Sequence, residues 1–116
     1  GVKIGKFCHI SPYVLIDLVY PQLVKIEDNV TIGNNSMVFA HVNPTASPKL
    51  KKIYPRKVAP VTIKKGSVIF PGCIITAGVT IGEYSMIGAG SVVGENIPDY
   101  CVALGNPARV VKKIDH

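Results

Sequence analysis

Histidine is the side chain best suited to proton transfer at neutral pH, and this sequence of 116 residues contains three: His9, His41 and His116. An imidazole ordinarily titrates near pH 6.5, so it can serve as a general base or acid. His41 stands where a regular pattern in the chain stops. His9 precedes an aliphatic residue and His116 ends the chain, so we expect an outer-surface position and a frayed end. A loop histidine is more often structural or solvent-exposed, so His41 alone is only a candidate base.

Positive charge is concentrated in two parts of the chain. The formal net charge is +6, yet no acidic residue lies between Asp28 and Glu83, and Arg109, Lys112 and Lys113 form a second basic group. Such patches attract nucleic acid, membrane headgroups or a phosphorylated cofactor, although solvated lysines are the simpler explanation. Nucleic acid is disfavoured because no aromatic–basic interleaving or known binding module accompanies the charge. The central basic residues are Lys49, Lys51, Lys52, Arg56, Lys57, Lys64 and Lys65.

Aliphatic residues recur every six positions, which identifies a hexapeptide repeat. A small residue usually follows four positions later, and glycine often follows directly, as at Gly5, Gly33 and Gly82. A period of six fits neither a helix nor a simple alternating strand. A period of six suits a flat face followed by a turn, and three such faces make one coil. The aliphatic residues then point into the coil, and glycine tolerates the backbone dihedrals of the corners. The pattern predicts an all-β fold, a parallel β-helix. The aliphatic positions are Ile4, Ile10, Ile16, Ile26, Ile32, Val38, Ile63, Ile69, Ile75, Ile81, Ile87 and Val93.

The repeat is interrupted twice within what we expect to be a single domain, 1–116, of about four to five coils. Extra residues separate the blocks 4–20 and 26–43, and residues of about 44–60 leave the register as a long extruded loop. A loop of that length in a compact domain is usually functional. The first residue is Gly1 and the repeat is already under way, so we expect N-terminal coils to be missing from this sequence.

The cysteines and the hydropathy indicate a cytoplasmic protein. Cys8, Cys73 and Cys101 form no CxxC motif, so buried reduced thiols are expected. The longest apolar stretch, about 67–81, contains prolines and glycines and is too short for a membrane span. No signal peptide is visible, although a truncated start would hide one.

Several motifs together resemble one family. The segments VTIGNNSMVFAHVNP, VTIKKGSVIFPGCIITAGVTIGEYSMIGAGSVV, NIPDY and VALGNPARVVKKI are similar to those of the hexapeptide-repeat acyltransferases, especially maltose, galactoside and other sugar O-acetyltransferases. The resemblance covers about residues 2–114. It implies a left-handed β-helix, a homotrimer with an active site in each cleft between subunits, and no metal. It also implies transfer of an acetyl group from acetyl-CoA to a hydroxyl or amino group of a small sugar-like acceptor.

The resemblance also implies roles for individual residues. His41 occupies the position of the general base. A backbone carbonyl that held one ring nitrogen would fix the tautomer that leaves the other nitrogen free to accept a proton. Asp17 and Asn43 lie where acceptor-binding residues are found, although an ordinary turn role is the alternative for each.

The cofactor groove is expected along the C-terminal coils. Pro71 and Ala89 match groove positions, and Arg109 and Lys112 match basic positions near the CoA phosphates, where a cation complements the 3′-phosphate. One departure is Glu95, which stands after the SVV segment where the family commonly has Thr-Lys or a similar pair. An acidic side chain there would either turn away or weaken CoA binding.

Other functions of the same repeat remain open. A non-catalytic assembly or regulatory module is favoured by the truncated-looking start and by Glu95, and opposed by His41, the long loop and GNPARV. A γ-class carbonic anhydrase needs three converging imidazoles, and only His9 and His41 lie away from the terminus. An ice-binding helix needs threonine rows that this chain lacks.

Overall fold

A computed structural model describes residues 1–116, and its strands wind into a parallel β-helix with three sides. The strands are numbered in chain order. One side contains β1 (Lys3–Ile4), β4 (Val24–Ile26), β9 (Val61–Ile63) and β12 (Thr80–Ile81). The second contains β2 (His9–Ile10), β5 (Thr31–Ile32), β10 (Val68–Ile69), β13 (Met86–Ile87), β15 (Cys101–Gly105) and β16 (Ala108–Lys113). The third contains β3 (Leu15–Ile16), β6 (Met37–Val38), β11 (Ile74–Ile75) and β14 (Val92–Val93).

The aliphatic residues of successive hexads stack in register inside the prism. On the second side, for example, Ile69 pairs with both Ile32 and Ile87 through parallel ladders. From the second coil onward these residues are at most 1% exposed, so each one removes nearly its whole side chain from water. In the first coil Ile4 is 47% exposed, because that coil is covered on one side only. The inward positions predicted from the repeat are confirmed. The fully buried members are Ile26, Ile32, Val38, Ile63, Ile69, Ile75, Ile81, Ile87 and Val93.

The glycines that follow the aliphatic residues lie where adjacent coils come close together. A Cβ on Gly33 would lie 2.5 Å from the backbone nitrogen of Pro71, and one on Gly82 would lie 2.4 Å from the backbone of Asp99. These glycines therefore allow adjacent coils to approach closely, and neither has a positive φ. The left-handed corner dihedrals occur further along each turn, at positions such as Gly66 and Gly90. Glycines do supply corner dihedrals, as predicted, but at turn positions such as Gly72 and Gly78 rather than directly after the aliphatic residues.

The two interruptions of the repeat form local structures of their own. Between β3 and β4 the chain makes a short 3₁₀ turn, Pro21–Leu23. After β6 it leaves the prism as strand β7 (His41–Val42), passes through helix α1 (Pro48–Ile53) and returns as β8 (Lys57–Val58). Strands β7 and β8 pair antiparallel. The residues expected to form an extruded loop thus contain a helix of one to two turns, whose N-terminus is capped by the Ser47 hydroxyl.

The rest of the chain closes the last coil and holds the cysteines. Strand β16 folds back antiparallel on β15. All three cysteines are free thiols; Cys73 and Cys101 are buried, and burial raises the pKa of the Cys73 thiol. Helices of this structure are too short and too polar to cross a bilayer.

Candidate active site

The extra residues after β3 build a turn around a buried carboxylate. Asp17 Oδ1 accepts hydrogen bonds from the backbone N–H groups of Val19 (2.9 Å) and Tyr20 (2.8 Å). This is an Asx-type turn, in which an aspartate side chain replaces a backbone acceptor. The Asp17 N–H also donates to the Val38 carbonyl at 2.8 Å, so the turn is fixed to the next coil. Asp17 is only 1% exposed.

The second oxygen of this carboxylate holds His41. Asp17 Oδ2 lies 2.5 Å from His41 Nδ1 and also accepts from the Ala40 N–H at 2.7 Å. The His41 side chain is 10% exposed, and the Tyr20 ring packs edge-on against it with centroids 5.3 Å apart. A carboxylate rather than a backbone carbonyl therefore orients the imidazole.

Asp17 is ionised in this position despite its burial. Burial alone would raise its pKa, but the hydrogen bonds from Tyr20, His41, Ala40 and Val19 outweigh that effect and hold the Asp17 pKa well below its usual value. An ionised carboxylate can only accept hydrogen bonds, so the proton in the short contact belongs to His41 Nδ1. In a neutral imidazole Nε2 is then the unprotonated nitrogen, which is the atom a general base needs.

The geometry of Asp17 fits the ordinary turn role given as its alternative, and not contact with an acceptor. Its two oxygens accept four hydrogen bonds from within the chain, and its side chain is closed to solvent. No acceptor hydroxyl can reach it without breaking one of those bonds. Asn43, the other predicted acceptor residue, is exposed and lies beside the histidine at the end of β7.

A largely apolar cavity of about 460 Å³ opens beside the imidazole. A second cavity of about 810 Å³ lies beneath helix α1, and the two adjoin because Val42 and Asn43 contribute to both. His41 therefore lines a largely apolar trough on the prism wall, and this trough adjoins an open space beside the extruded segment. The trough is lined by Leu15, Leu18, Val19, Phe39, His41, Val42, Asn43, Thr76 and Ala77.

The two predicted groove residues Pro71 and Ala89 lie one above the other at one corner of the prism, away from His41. Pro71 and Ala89 are both exposed and belong to successive coils, linked by the Gly90 N–H donating to the Pro71 carbonyl at 2.9 Å. They precede β11 and β14, whereas His41 follows β6. Since these strands are parallel, Pro71 and Ala89 lie at the opposite edge of the third sheet from the imidazole.

The predicted phosphate-binding cations are exposed on β16. Arg109 lies opposite Leu104, which packs over Gly88 next to Ala89, and Lys112 lies opposite Val102. Arg109 Nη1 is 4.0 Å from Glu95 Oε2, with both side chains largely exposed. Glu95 therefore points toward the cation that was expected to meet a phosphate. None of the three cavities of the single chain is lined by Pro71, Ala89, Arg109 or Lys112.

The pairing of Asp17 with His41 was not predicted from the sequence, and neither were the positions of Tyr20 and Arg56 beside it. The strand register could have indicated this pairing. When Ile16 is aligned with Val38, Asp17 lies at the same corner of the prism as the residues that lead to His41. Histidine, cysteine and acidic side chains do not gather anywhere in groups of three or more that could hold a metal.

Comparisons with known proteins agree with this architecture. A family model described as bacterial transferase hexapeptide (six repeats) matches residues 60–95. A maltose O-acetyltransferase from Clostridium difficile 630 superposes with a TM-score of 0.77 at 30% identity, covering 98% of this chain and 70% of that one. A hexapeptide-repeat acetyltransferase from Vibrio cholerae, complexed with acetyl coenzyme A, superposes with a TM-score of 0.86 at 25% identity, over 99% and 61% of the two chains.

A sequence relative acts on an activated sugar. The dTDP-3-amino-3,6-dideoxy-α-D-galactopyranose 3-N-acetyltransferase of Aneurinibacillus thermoaerophilus is 52% identical over 56 residues, which is 48% of this chain and 29% of that enzyme. The chain spans less than half the length of the curated relatives that it matches, 29% to 44%.

The stacked hexads and the superposed structures agree over nearly the whole chain, and the family model matches residues 60–95 of it. The chain therefore belongs to the hexapeptide-repeat transferases, and its fold is the left-handed parallel β-helix that the sequence resemblance predicted.

Proposed function

We propose that this protein transfers an acetyl group from acetyl-CoA to a hydroxyl or amino group of a sugar-like acceptor, with His41 as the general base. The observation that carries the proposal is the buried contact between Asp17 Oδ2 and His41 Nδ1 at the edge of a cavity. The Vibrio cholerae neighbour complexed with acetyl-CoA and the sugar-modifying relatives support the choice of substrates.

The proposed chemistry uses the free ring nitrogen. His41 Nε2 takes the proton of the acceptor hydroxyl or amine as its oxygen or nitrogen attacks the thioester carbonyl carbon. The carbon–sulfur bond then breaks, and the protonated imidazole returns the proton to the departing sulfur. Asp17 stays ionised and stabilises the imidazolium between these two steps, since its carboxylate is held by three backbone N–H groups.

The cofactor is proposed to lie along the exposed corner formed by Pro71 and Ala89, with its phosphates near Arg109 and Lys112. A proline and an alanine leave the backbone close to the surface there, and the basic side chains on β16 complement phosphate charge. That corner and His41 lie at opposite edges of one sheet, and the single chain has no cavity joining them. This arrangement supports a homotrimer in which a neighbouring prism completes the cleft.

The role of His41 is tested by its removal. His41→Ala should fold normally but transfer acetyl groups at least about 10²-fold more slowly, because a positioned general base contributes about 10²–10⁴-fold. Steady-state thioester cleavage in the presence of sugar acceptors measures the loss. His9→Ala removes an exposed histidine on another sheet and should retain turnover. Near-normal rates for His41→Ala would refute the assignment.

Asp17→Asn tests the positioning of the imidazole. In place of one carboxylate oxygen the amide has an NH₂ group, which cannot accept the two hydrogen bonds that this oxygen accepts. The imidazole should then lose its fixed position. Turnover should fall by about 10²-fold, the typical cost of a catalytic group misplaced by about 1 Å. Asp28→Asn, at an exposed carboxylate, should retain turnover.

The same variant has a pH signature. Because the pKa of Asp17 is lowered in the folded state, its stabilising effect is complete above the unfolded value near 4 and is lost as pH falls below it. Urea unfolding should therefore show a stability difference between wild type and Asp17→Asn that is large at pH 7 and shrinks below about pH 4. A difference that stays constant or grows on acidification would contradict an ionised Asp17.

The phosphate contacts are tested by calorimetric titration with acetyl-CoA. Arg109→Ala should weaken binding by about three- to tenfold, the range expected for an exposed charge-assisted contact, and should affect 3′-dephospho-acetyl-CoA less. Glu95→Gln should tighten binding, because it removes a negative charge beside Arg109. An absence of acetyl-CoA binding by the wild type would instead favour a non-catalytic module.

A further inference from the structure

Arg56 immediately precedes β8, the returning strand of the extruded segment, and its side chain extends toward the histidine site. Its Nη1 donates a hydrogen bond to the Tyr20 hydroxyl at 2.6 Å, and its Nη2 donates to Asn43 Oδ1 at 3.5 Å. Tyr20 is itself fixed by its backbone bond to Asp17 and by ring contact with His41. The guanidinium is therefore held by the same residues that surround the candidate base.

The positive charge of Arg56 has no acidic partner. The chain contains three close ion pairs, Lys25–Glu27, Asp17–His41 and Glu95–Arg109, and none involves Arg56. Its anchors are a hydroxyl and an amide, which orient a guanidinium without neutralising it. Two of its five N–H donors are used by these contacts, so most of its hydrogen-bonding capacity faces the solvent.

The location of this cation suits one part of a bound acceptor. The Arg56 Cζ atom is 5.9 Å from the centre of the Tyr20 ring, which is 5.3 Å from the centre of the His41 ring. Arg56 and Asn43 line the cavity beneath α1, and Asn43 also lines the cavity that contains His41. A small acceptor could thus place its reacting group at His41 and a substituent on the opposite side of its sugar ring at Arg56.

We infer that Arg56 recognises an anionic group, a phosphate or a carboxylate, on the acceptor of the proposed acetyl transfer. A guanidinium can bind a phosphate or a carboxylate through two parallel N–H donors. Because the partners that orient Arg56 are neutral, its positive charge is not offset and can attract such an anion. This inference rests on the proposed function for the identity of the reaction, but the anion site itself depends only on Arg56 and its two anchors. The lysines of α1 have no hydrogen bond from their ammonium groups within the chain and form the solvated part of the same basic segment.

Calorimetric titrations with three glucose derivatives test the inference at constant ionic strength: glucose 1-phosphate, glucuronate and the neutral methyl glucoside. The wild type should bind at least one of the two anionic sugars more tightly than methyl glucoside. Arg56→Gln should weaken that binding by about ten- to hundredfold, the range for hydrogen bonds to a charged group. Arg56→Lys keeps the positive charge but loses the paired N–H donors of the guanidinium, so it should give an intermediate affinity. Circular dichroism checks that each variant is folded.

The matched control is Lys51→Gln, which removes one positive charge from the exposed face of α1 in the same segment. It should retain the affinity of the wild type for the anionic sugars. Equal weakening by Lys51→Gln and Arg56→Gln would indicate nonspecific attraction and overturn the inference. So would equal affinity of the wild type for neutral and anionic sugars, or weaker acetyl-CoA binding as the sole effect of Arg56→Gln.

His41→Ala separates this inference from the proposed function. That variant retains Arg56, Tyr20 and Asn43, so it should still bind the anionic sugar in an Arg56-dependent way. If the wild type binds the anionic sugars through Arg56 but transfers no acetyl group to any acceptor, the proposed function fails and the anion site stands. If acetyl transfer proceeds and its selectivity for anionic over neutral sugars is the same in wild type and Arg56→Gln, the anion site fails alone.

Discussion

The site depends on one buried negative charge. An isolated carboxylate in a protein interior is strongly disfavoured, and Asp17 is tolerated because three backbone N–H groups and one imidazole surround it. Those four donors come from two segments, the turn after β3 and the chain leaving β6. The charge therefore joins two coils at the corner where the repeat stops, and it fixes the ring and the tautomer of His41 through the same contacts.

The regular coils form the support of the site, and the irregular segments carry its functional side chains. Stacked aliphatic residues and close-approach glycines make a rigid wall, and every buried serine on it has its hydroxyl satisfied by a backbone group. The two departures from the repeat, the turn around Asp17 and the segment carrying α1, supply the carboxylate, the aromatic neighbour and the free cation. Precise placement of functional groups is easiest when such segments are anchored to a rigid support.

The prism could be predicted from the sequence because a six-residue period has one simple structural solution. Positions such as Ile69 and Ile87 were assigned to the interior by spacing alone, and the structure confirms them. The close approach at the glycine after the aliphatic residue was not predicted, because crowding by the next coil is a contact between residues far apart in sequence. The pairing of Asp17 with His41 was missed for the same reason: the hydrogen-bond partners Ala40 and His41 are more than twenty residues away.

The protonation of His41 is the most direct test of this account. Nitrogen-15 NMR of the histidine side chains at neutral pH, assigned by comparison with His41→Ala, reports which ring nitrogen carries the proton. We expect a proton on Nδ1, shifted strongly downfield by its short contact with the Asp17 carboxylate, and an unprotonated Nε2. A neutral His41 with its proton on Nε2 would contradict it, because that imidazole could not accept a proton from an acceptor.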